Sequence, residues 1–297
     1  MNRETKLQSN RPGIGREEAR QNRRKEALIS GCKAMMMPPS FRLYNHLNPK
    51  QVSTLDHFIV MEELKLFYCC IPHAGCNTLK KIWGLHDGRI HQEHDDGVEN
   101  RRTPRLLSQY KTEKVKSILQ EYSSFIFTRN PYYRLLSAFL TIFEQKGQLS
   151  EIDESVKEIR RIFTSKIKQE KRHSAKDDHS NYSVSFPDFV DHVSSSTNRL
   201  LGKGEDRWRE IYRLCHLCGV DYGFLGKYET FQEDIKIITR RYGLDINVTK
   251  VQLDDSPLDI DVMKRYLQEI TPSQISKFSK RYVADTSLFG YTIPKSL

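Results

Sequence analysis

The pattern of hydrophobic and polar positions divides the chain into a polar beginning and a patterned remainder. Residues 1 to about 39 contain few aromatic side chains, and the first 25 are rich in Arg, Asn, Gln and Glu. Such a composition cannot bury enough apolar surface to offset the entropy lost on folding, so it predicts disorder. We therefore expect a basic, disordered tail and lead-in over residues 1–60 and one folded domain over residues 61–297.

Two short segments predict buried strands. Residues 66–71 form a continuous apolar run, and residues 124–127 form a second strand candidate. Runs of this length are typical of strands buried on both faces. A turn and a helical pattern follow each one, and the second helix begins at Pro131 and carries an apolar stripe from Tyr132 to Phe143. This alternation predicts an α/β domain with a short parallel sheet and helices on both faces.

The turn after the first predicted strand has the features of an anion site. Residues 72–78 contain Gly75 and small polar side chains, and Lys80 and Lys81 follow in the predicted helix. The first turn of a helix presents backbone N–H groups without intrahelical partners at the positive end of the helix dipole. A strand–turn–helix junction of this kind is suited to phosphate-like groups.

The second predicted junction, residues 129–139, repeats this arrangement. Arg129, Arg134 and Ser137 lie on the polar side of its helix. Arginine offers an anion a planar fork of donors, and Arg134 precedes Ser137 by about one helical turn, so both can share a face. Two such junctions in one domain indicate a ligand with two phosphate-like ends.

Both junctions resemble the phosphosulfate-binding elements of the Golgi carbohydrate sulfotransferases, in the branch that contains the HNK-1, chondroitin 4-O and dermatan 4-O sulfotransferases. In that family the first element contains P-K-x-G-C. The second reads R-[DNE]-P-[FY]-x-R-L-x-S-A-[FY], and the segment from Arg129 to Phe139 matches it almost completely.

A third block strengthens the resemblance. Trp208, then L-C-H-L-C from Leu214 and D-Y-G-F-L-G-K-Y-E-T from Asp221, is similar to the family's H-W…L-C-H-P-C…Y-D-[FL]-[IV]-G-K-[YF]-E-T. The similarity runs in order from about Phe67 to Pro294. One departure is that Arg207 stands where the family carries histidine before the tryptophan.

The resemblance implies a P-loop-like sulfotransferase fold and a reaction. The donor would be 3′-phosphoadenosine 5′-phosphosulfate (PAPS), and sulfate would pass to a hydroxyl group of a glycan, either a glycosaminoglycan or glycoprotein carbohydrate. The first junction would hold the 5′ phosphosulfate, and the second would hold the 3′-phosphate. The donor-binding residues implied are Pro72, His73, Ala74, Gly75, Cys76, Asn77, Thr78, Lys80, Arg129, Arg134 and Ser137.

His73 stands where the family places a lysine that stabilises charge on the leaving group. One hypothesis is that a protonated His73 performs this task, with a charge that depends on pH because an ordinary histidine pKa is near 6.5. The other is that catalysis is impaired and the chain binds PAPS or a glycan without turnover. We expect a working enzyme with His73 as a catalytic residue.

A base must accept the proton of the glycan hydroxyl. The polar segment between the two junctions contains His86, His91, Glu93 and His94. We expect His94 to be the base, with His91 and Glu93 as alternatives.

The formal net charge of +10 indicates anionic partners without choosing among them. A nucleic-acid-binding protein that uses the basic tail is a rival interpretation. A nucleotide kinase is a weaker one, because the chain lacks the G-x-x-x-x-G-K-[ST] spacing of a P-loop. We expect an anionic glycan partner and no nucleic acid.

The six cysteines permit disulfides, and Cys215 and Cys218 also have the spacing of zinc ligands. Because no second such pair completes a zinc site, we expect packed or disulfide-bonded cysteines and no metal. No apolar run reaches the ~18–20 residues that span a bilayer. The resemblance implies residence in the Golgi lumen or membrane, although no signal anchor is visible in this sequence.

Overall fold

The computed structural model describes residues 12–37, 42–86, 105–144, 154–172, 184–195, 205–244 and 259–293. In this part of the chain five strands form one sheet in the order β3–β1–β2–β4–β5. They are β1 (Phe58–Met61), β2 (Leu66–Cys69), β3 (Arg105–Leu106), β4 (Ser123–Thr128) and β5 (Phe224–Lys227).

The sheet is mixed rather than wholly parallel. Strands β2, β4 and β5 are parallel, with Tyr68 opposite Phe125 and Phe125 opposite Phe224. Strand β1 is antiparallel to both β2 and β3. The predicted parallel sheet is therefore confirmed for its centre, while the short connection from β1 to β2 requires a hairpin, because parallel neighbours need a long crossover.

The helices connect and cover these strands. They are α1 (Pro12–Ala34), α2 (Pro49–Val52), α3 (Cys76–His86), α4 (Thr112–Glu121), α5 (Pro131–Phe139), α6 (Glu154–Arg172), α7 (Phe186–Ser194), α8 (Ile211–Leu214), α9 (Phe231–Arg241), α10 (Ile260–Gln268), α11 (Pro272–Arg281) and α12 (Val283–Phe289). The two strand–turn–helix units predicted from the sequence are β2–α3 and β4–α5.

Both faces of the sheet are covered, as predicted. Phe67 and Ile126 belong to a core that includes Leu28 of α1, together with residues of α4 and α12. Tyr68 and Phe125 point to the other face and join a core with α3 and α9. Alternate residues of each strand thus enter opposite cores, which explains why the strands read as continuous apolar runs.

The apolar stripe of α5 builds a third core beside the sheet. Tyr132, Leu135, Leu136 and Phe139 are buried there against residues of α6, α7, α10 and α11. The opposite side of α5 is thereby directed toward the turn that follows β2, where Ser137 lies close to His73.

Residues 12–34, within the tail predicted to be disordered, form helix α1. Its Gln21 side chain donates to Leu225 O at 3.1 Å and accepts from Leu225 N at 3.0 Å, so one amide makes both bonds of a neighbouring strand at the edge of β5. Arg20 and Arg24 contact the buried carboxylate of Asp234 at 2.9 and 2.8 Å. Polar contacts and one disulfide, rather than a long apolar face, order this helix, and composition alone therefore predicts disorder.

All six cysteines form disulfides: Cys32–Cys218, Cys69–Cys215 and Cys70–Cys76. The disulfide interpretation of the cysteines is confirmed, and the C-x-x-C pair serves two different bridges instead of one zinc ion. In the described ranges, no helix is both long enough and apolar enough to cross a bilayer.

Candidate functional site

The turn between β2 and α3 is closed on itself by a covalent bond. The Cys70–Cys76 disulfide joins its two ends. Within it, His73 has a φ of 62° and Gly75 a φ of 85°, both in the left-handed region. A Cβ atom on Gly75 would lie 2.8 Å from the ring of Phe231, so glycine is required for both conformation and space. We call residues 70–76 the cystine loop.

Three side chains of the second junction contact the cystine loop. The Arg129 guanidinium donates to His73 O at 2.9 Å. The Ser137 hydroxyl lies 3.3 Å from Nδ1 of the His73 ring, and Arg134 Nε donates to Pro72 O at 3.0 Å. The two predicted anion elements therefore form one continuous site, although they are far apart in sequence.

Arg134 is almost fully buried in this site, with 1% of its surface exposed. Besides its bond to Pro72, it donates to Arg209 O at 2.6 Å and to Asp206 O at 2.7 Å. The guanidinium nitrogens of Arg134 are directed to backbone carbonyls. Arg134 therefore positions the loop, whereas the sequence predicts that it contacts the ligand. Burial lowers the pKa of its guanidinium, which nevertheless stays charged.

Arg129 is also buried, with 2% exposure, and its guanidinium carbon lies 4.0 Å from the centroid of the Tyr228 ring. A cation–π contact at this distance fixes the plane of the guanidinium. Tyr228 and Phe231 follow β5, so the end of this strand supplies the wall behind Arg129 and Gly75.

The imidazole of His73 is surrounded by positive charge. Burial, followed by the charges of Arg207, Arg134 and Arg129, holds the pKa of His73 well below its ordinary value. Burial and these charges therefore favour the neutral ring. They count against the hypothesis of a protonated His73, because a charge there would be desolvated and repelled.

The other predicted donor-binding residues divide into two groups. Asn77 and Lys80, at the beginning of α3, are exposed to solvent, as is Lys81. Ala74 and Thr78 are buried, with 1% exposure each, and the Cys76 sulfur is committed to its disulfide. In a contact with a ligand, Ala74, Gly75 and Cys76 can offer their backbone. His91, Glu93 and His94 lie outside the described residues, as does the His86 side chain.

The junction between β4 and α5 is secured by residues near the C-terminus. The Glu229 carboxylate accepts a hydrogen bond from Asn130 N at 2.8 Å and one from the Tyr291 hydroxyl at 3.0 Å. Asn130 also donates its side-chain amide to Thr292 O at 2.9 Å. These bonds fix the backbone next to Arg129.

A histidine–aspartate pair that sequence reasoning missed lies beside the cystine loop. His57 Nε2 is 3.2 Å from Asp206 Oδ2, and His57 O accepts from Cys70 N at 2.8 Å. Burial favours the protonated form of Asp206, but the hydrogen bond and charge of His57 and the charges of Arg209 and Arg134 outweigh it and lower the pKa of this carboxyl. No sequence signal links residues so distant; the bond from Cys70 N positions His57, and the bond from Arg134 to the Asp206 carbonyl positions Asp206.

Comparison with known proteins agrees with this architecture. The sequence model of the sulfotransferase family matches residues 56–292. The chain belongs to the sulfotransferase family. The cystine loop, the β4–α5 junction and the segment around Trp208 all fall within the matched region of this sulfotransferase.

The relatives are carbohydrate sulfotransferases. Carbohydrate sulfotransferase 14 of Danio rerio is 27% identical over 279 residues, which cover 92% of this chain and 72% of the relative. Carbohydrate sulfotransferase 11 of Rattus norvegicus is 27% identical over 256 residues, covering 82% and 69%. Carbohydrate sulfotransferase 9 of Homo sapiens is 24% identical over 287 residues, covering 93% and 61%. No solved structure matches the chain significantly. The resemblance to this family seen in the sequence is thereby confirmed.

Proposed function

We propose that the protein transfers sulfate from PAPS to a hydroxyl group of a glycan, either a glycosaminoglycan or glycoprotein carbohydrate. Membership in the sulfotransferase family and the names of the relatives support the reaction class. The observation that carries the proposal is the convergence of Arg129 and Ser137 on His73, which unites two anion-binding elements in one site.

The residues of this site fit a nucleotide with phosphate groups at both ends. The beginning of α3 offers backbone N–H groups, the exposed Asn77 and the ammonium group of Lys80 to one anionic end. Arg129 and Ser137 offer a guanidinium and a hydroxyl to the other. Arg129 and Ser137 use these same donor groups in their contacts with His73. A phosphate that enters the site would therefore replace His73 as their partner or share the donors with it.

The reaction makes one bond and breaks one bond at sulfur. The acceptor oxygen forms a bond to sulfur, the bond between sulfur and the 5′-phosphate oxygen breaks, and the hydroxyl proton passes to a base. PAPS supplies the activated sulfate, and adenosine 3′,5′-bisphosphate leaves. The protein's task is to orient the two substrates and to stabilise the negative charge that grows on the leaving oxygen.

We propose His94 as the base, as expected from its place between the two junctions. His57, oriented by Asp206 at 3.2 Å, is a second candidate, because a carboxylate that holds an imidazole in one orientation suits proton acceptance. A neutral His73 would donate a hydrogen bond, while the surrounding arginines supply the positive charge that the family's lysine would bring.

We propose the Golgi lumen or membrane as the location, and three disulfides suit such an oxidising compartment.

A catalytically impaired relative that binds PAPS or a glycan is the second candidate, and the buried, neutral state of His73 favours it. One assay separates the two. The purified protein is incubated with PAPS carrying radioactive sulfate and a panel of glycans, and label is followed into the glycan. We expect transfer to at least one acceptor; uptake of PAPS without transfer to any acceptor would favour the impaired relative.

A further inference from the structure

A large groove lies next to the candidate site, on the other side of the segment that Arg134 holds. It has a volume of about 830 Å³ and is bordered by the end of α1, the end of α7, and parts of α8, α11 and α12. This volume is in the range of pockets that bind organic ligands, about 300–1,000 Å³. We call it the α1–α11 groove.

The walls of this groove are strongly basic. Among the described lining residues, five side chains carry a positive charge and one carries a negative charge; the basic ones are Arg209, Arg213, Lys277, Lys280 and Arg281. The acidic one, Glu210, is mostly buried and lies 3.5 Å from Arg281 Nε, so its charge is compensated locally. Lys277 lies 3.4 Å from Asp191 and Arg209 lies 3.0 Å from Asp206, yet an excess of positive charge remains along the lining.

Small, hydroxylated and apolar side chains form the rest of the described lining, and the apolar ones include Met35 and Val283. Gly31, Ala34 and Ala284 leave room along the walls, and Ser194, Ser195 and Ser287 offer hydroxyl groups. This combination of cations and short hydrogen-bonding groups suits a ligand that carries both acidic groups and many hydroxyl groups.

The groove and the donor site share a wall. The carbonyl of Arg209 accepts from Arg134 at 2.6 Å, whereas the side chain of Arg209 lines the groove. Two residues earlier, the charge of Arg207 acts on His73. A chain bound in the groove would therefore lie one backbone segment away from the cystine loop.

We infer that the α1–α11 groove is a binding site for an acidic polysaccharide, the acceptor of the proposed reaction. That the polysaccharide is the acceptor rests on the proposed function, but the binding site itself is inferred from the charge and shape of the groove.

A nucleic acid fits the groove less well than a glycan. Proteins that bind single strands combine basic grooves with aromatic side chains on which bases stack. The aromatic residue that lines the groove in the described part of the chain is Tyr212. Its hydroxyl accepts from Arg213 Nε at 2.6 Å, so the Arg213 guanidinium lies at the hydroxyl end of this ring, 5.4 Å from its centroid.

The test compares two double variants of equal charge. Lys277→Ala with Lys280→Ala removes two exposed cations from the groove, and Lys65→Ala with Lys111→Ala removes two exposed cations outside it. Binding of a fluorescent heparin octasaccharide to the full chain is measured by anisotropy at several salt concentrations. We expect the groove variant to bind roughly tenfold more weakly at low salt and the control to change less than about twofold, because screening limits distant charges.

Three results would overturn the inference. These are no octasaccharide binding by the wild type, an equal loss in both variants, or binding of an oligodeoxythymidylate of similar charge that is as tight and as sensitive to Lys277 and Lys280. Adenosine 3′,5′-bisphosphate binding is measured on the same samples. If the groove binds the glycan but the protein never binds the bisphosphate, the proposed function fails while the binding site stands.

Discussion

The Ser137 hydroxyl lies 3.3 Å from Nδ1 of His73, although the two residues are 64 positions apart in the chain. This contact joins the helix after β4 to the turn after β2. With the bond from Arg129 to His73 O, it fixes both the ring and the backbone of a residue whose φ is 62°. His73, which stands where the family carries a lysine, is thus the residue that both Arg129 and Ser137 of the second junction contact.

Replacing His73 by lysine tests whether this histidine is a working residue. His73→Lys would place a charge in a buried site beside three arginines, so we expect a loss of stability of about 2 kcal/mol and a loss of sulfate transfer. His73→Asn is the matched control, because asparagine is neutral and tolerates positive φ. Transfer and urea unfolding are measured for both. A tenfold or larger gain in transfer by the lysine variant would instead identify the natural protein as impaired.

Gly75→Ala tests the requirement for a side-chain-free turn. Its Cβ would lie 2.8 Å from the Phe231 ring, and its φ of 85° disfavours alanine. Gly243 has a φ of 65° with nothing within 4 Å of a Cβ, so Gly243→Ala isolates the conformational cost. We expect about 1–2 kcal/mol for Gly243→Ala and a larger cost for Gly75→Ala, measured by urea unfolding. Equal losses of stability in the two variants would show that the Phe231 ring moves aside without a measurable cost.

Two of the disulfides, Cys70–Cys76 and Cys32–Cys218, are expected to contribute differently to stability and to nucleotide binding. Removing Cys70–Cys76 by serine substitution relaxes a loop of few residues, so we expect a loss of about 2 kcal/mol in stability together with weaker nucleotide binding. Removing Cys32–Cys218 should cost more, about 4 kcal/mol, because the loop that it closes through the remaining Cys69–Cys215 bridge is longer. Unfolding and bisphosphate binding measured for both variants check this. Unchanged nucleotide binding without the Cys70–Cys76 bridge would contradict the role given to the cystine loop.

The buried carboxyl of Asp285 should make stability depend on pH. It accepts from Ile211 N at 2.7 Å and Tyr212 N at 2.9 Å, but burial outweighs these bonds and raises its pKa from 3.8 to about 6. Since the folded state then binds the proton more tightly than the unfolded state, the contribution of Asp285 to stability is fully present below about pH 4 and is lost as pH rises through 6.

Asp285→Asn isolates this effect. The stability of the wild type minus that of the variant should fall by on the order of 3 kcal/mol between pH 4 and pH 7. Urea unfolding at four pH values measures it. A difference that stays constant with pH would show that Asp285 titrates alike in the folded and unfolded states.

Sequence patterns predicted the elements whose neighbours are close along the chain. The β2–α3 and β4–α5 units and the apolar stripe of α5 depend on local periodicity and turn chemistry, so they could be recognised directly. The ordered helix α1 could not, because Gln21 and Arg24 find their partners on Leu225 and Asp234, about 200 positions away. Strand β1 was also missed, although its partner β2 is adjacent along the chain.

The site shows the same division. Arg129 and Ser137 were recognisable from their motif, and the structure brings both to His73. The positioning role of Arg134 depends on the carbonyls of Asp206 and Arg209, which no local pattern reveals. The neutral state of His73 likewise depends on the burial and charges that the fold assembles around it.

Isothermal titration of adenosine 3′,5′-bisphosphate is the most direct test of the central claim, that the two junctions together bind one doubly phosphorylated nucleotide. We expect one site per chain, a loss of affinity of at least about tenfold for Arg129→Ala, and little change for Arg161→Ala, an exposed arginine on α6. Absence of binding by the wild type, or equal affinity in all three proteins, would contradict the account.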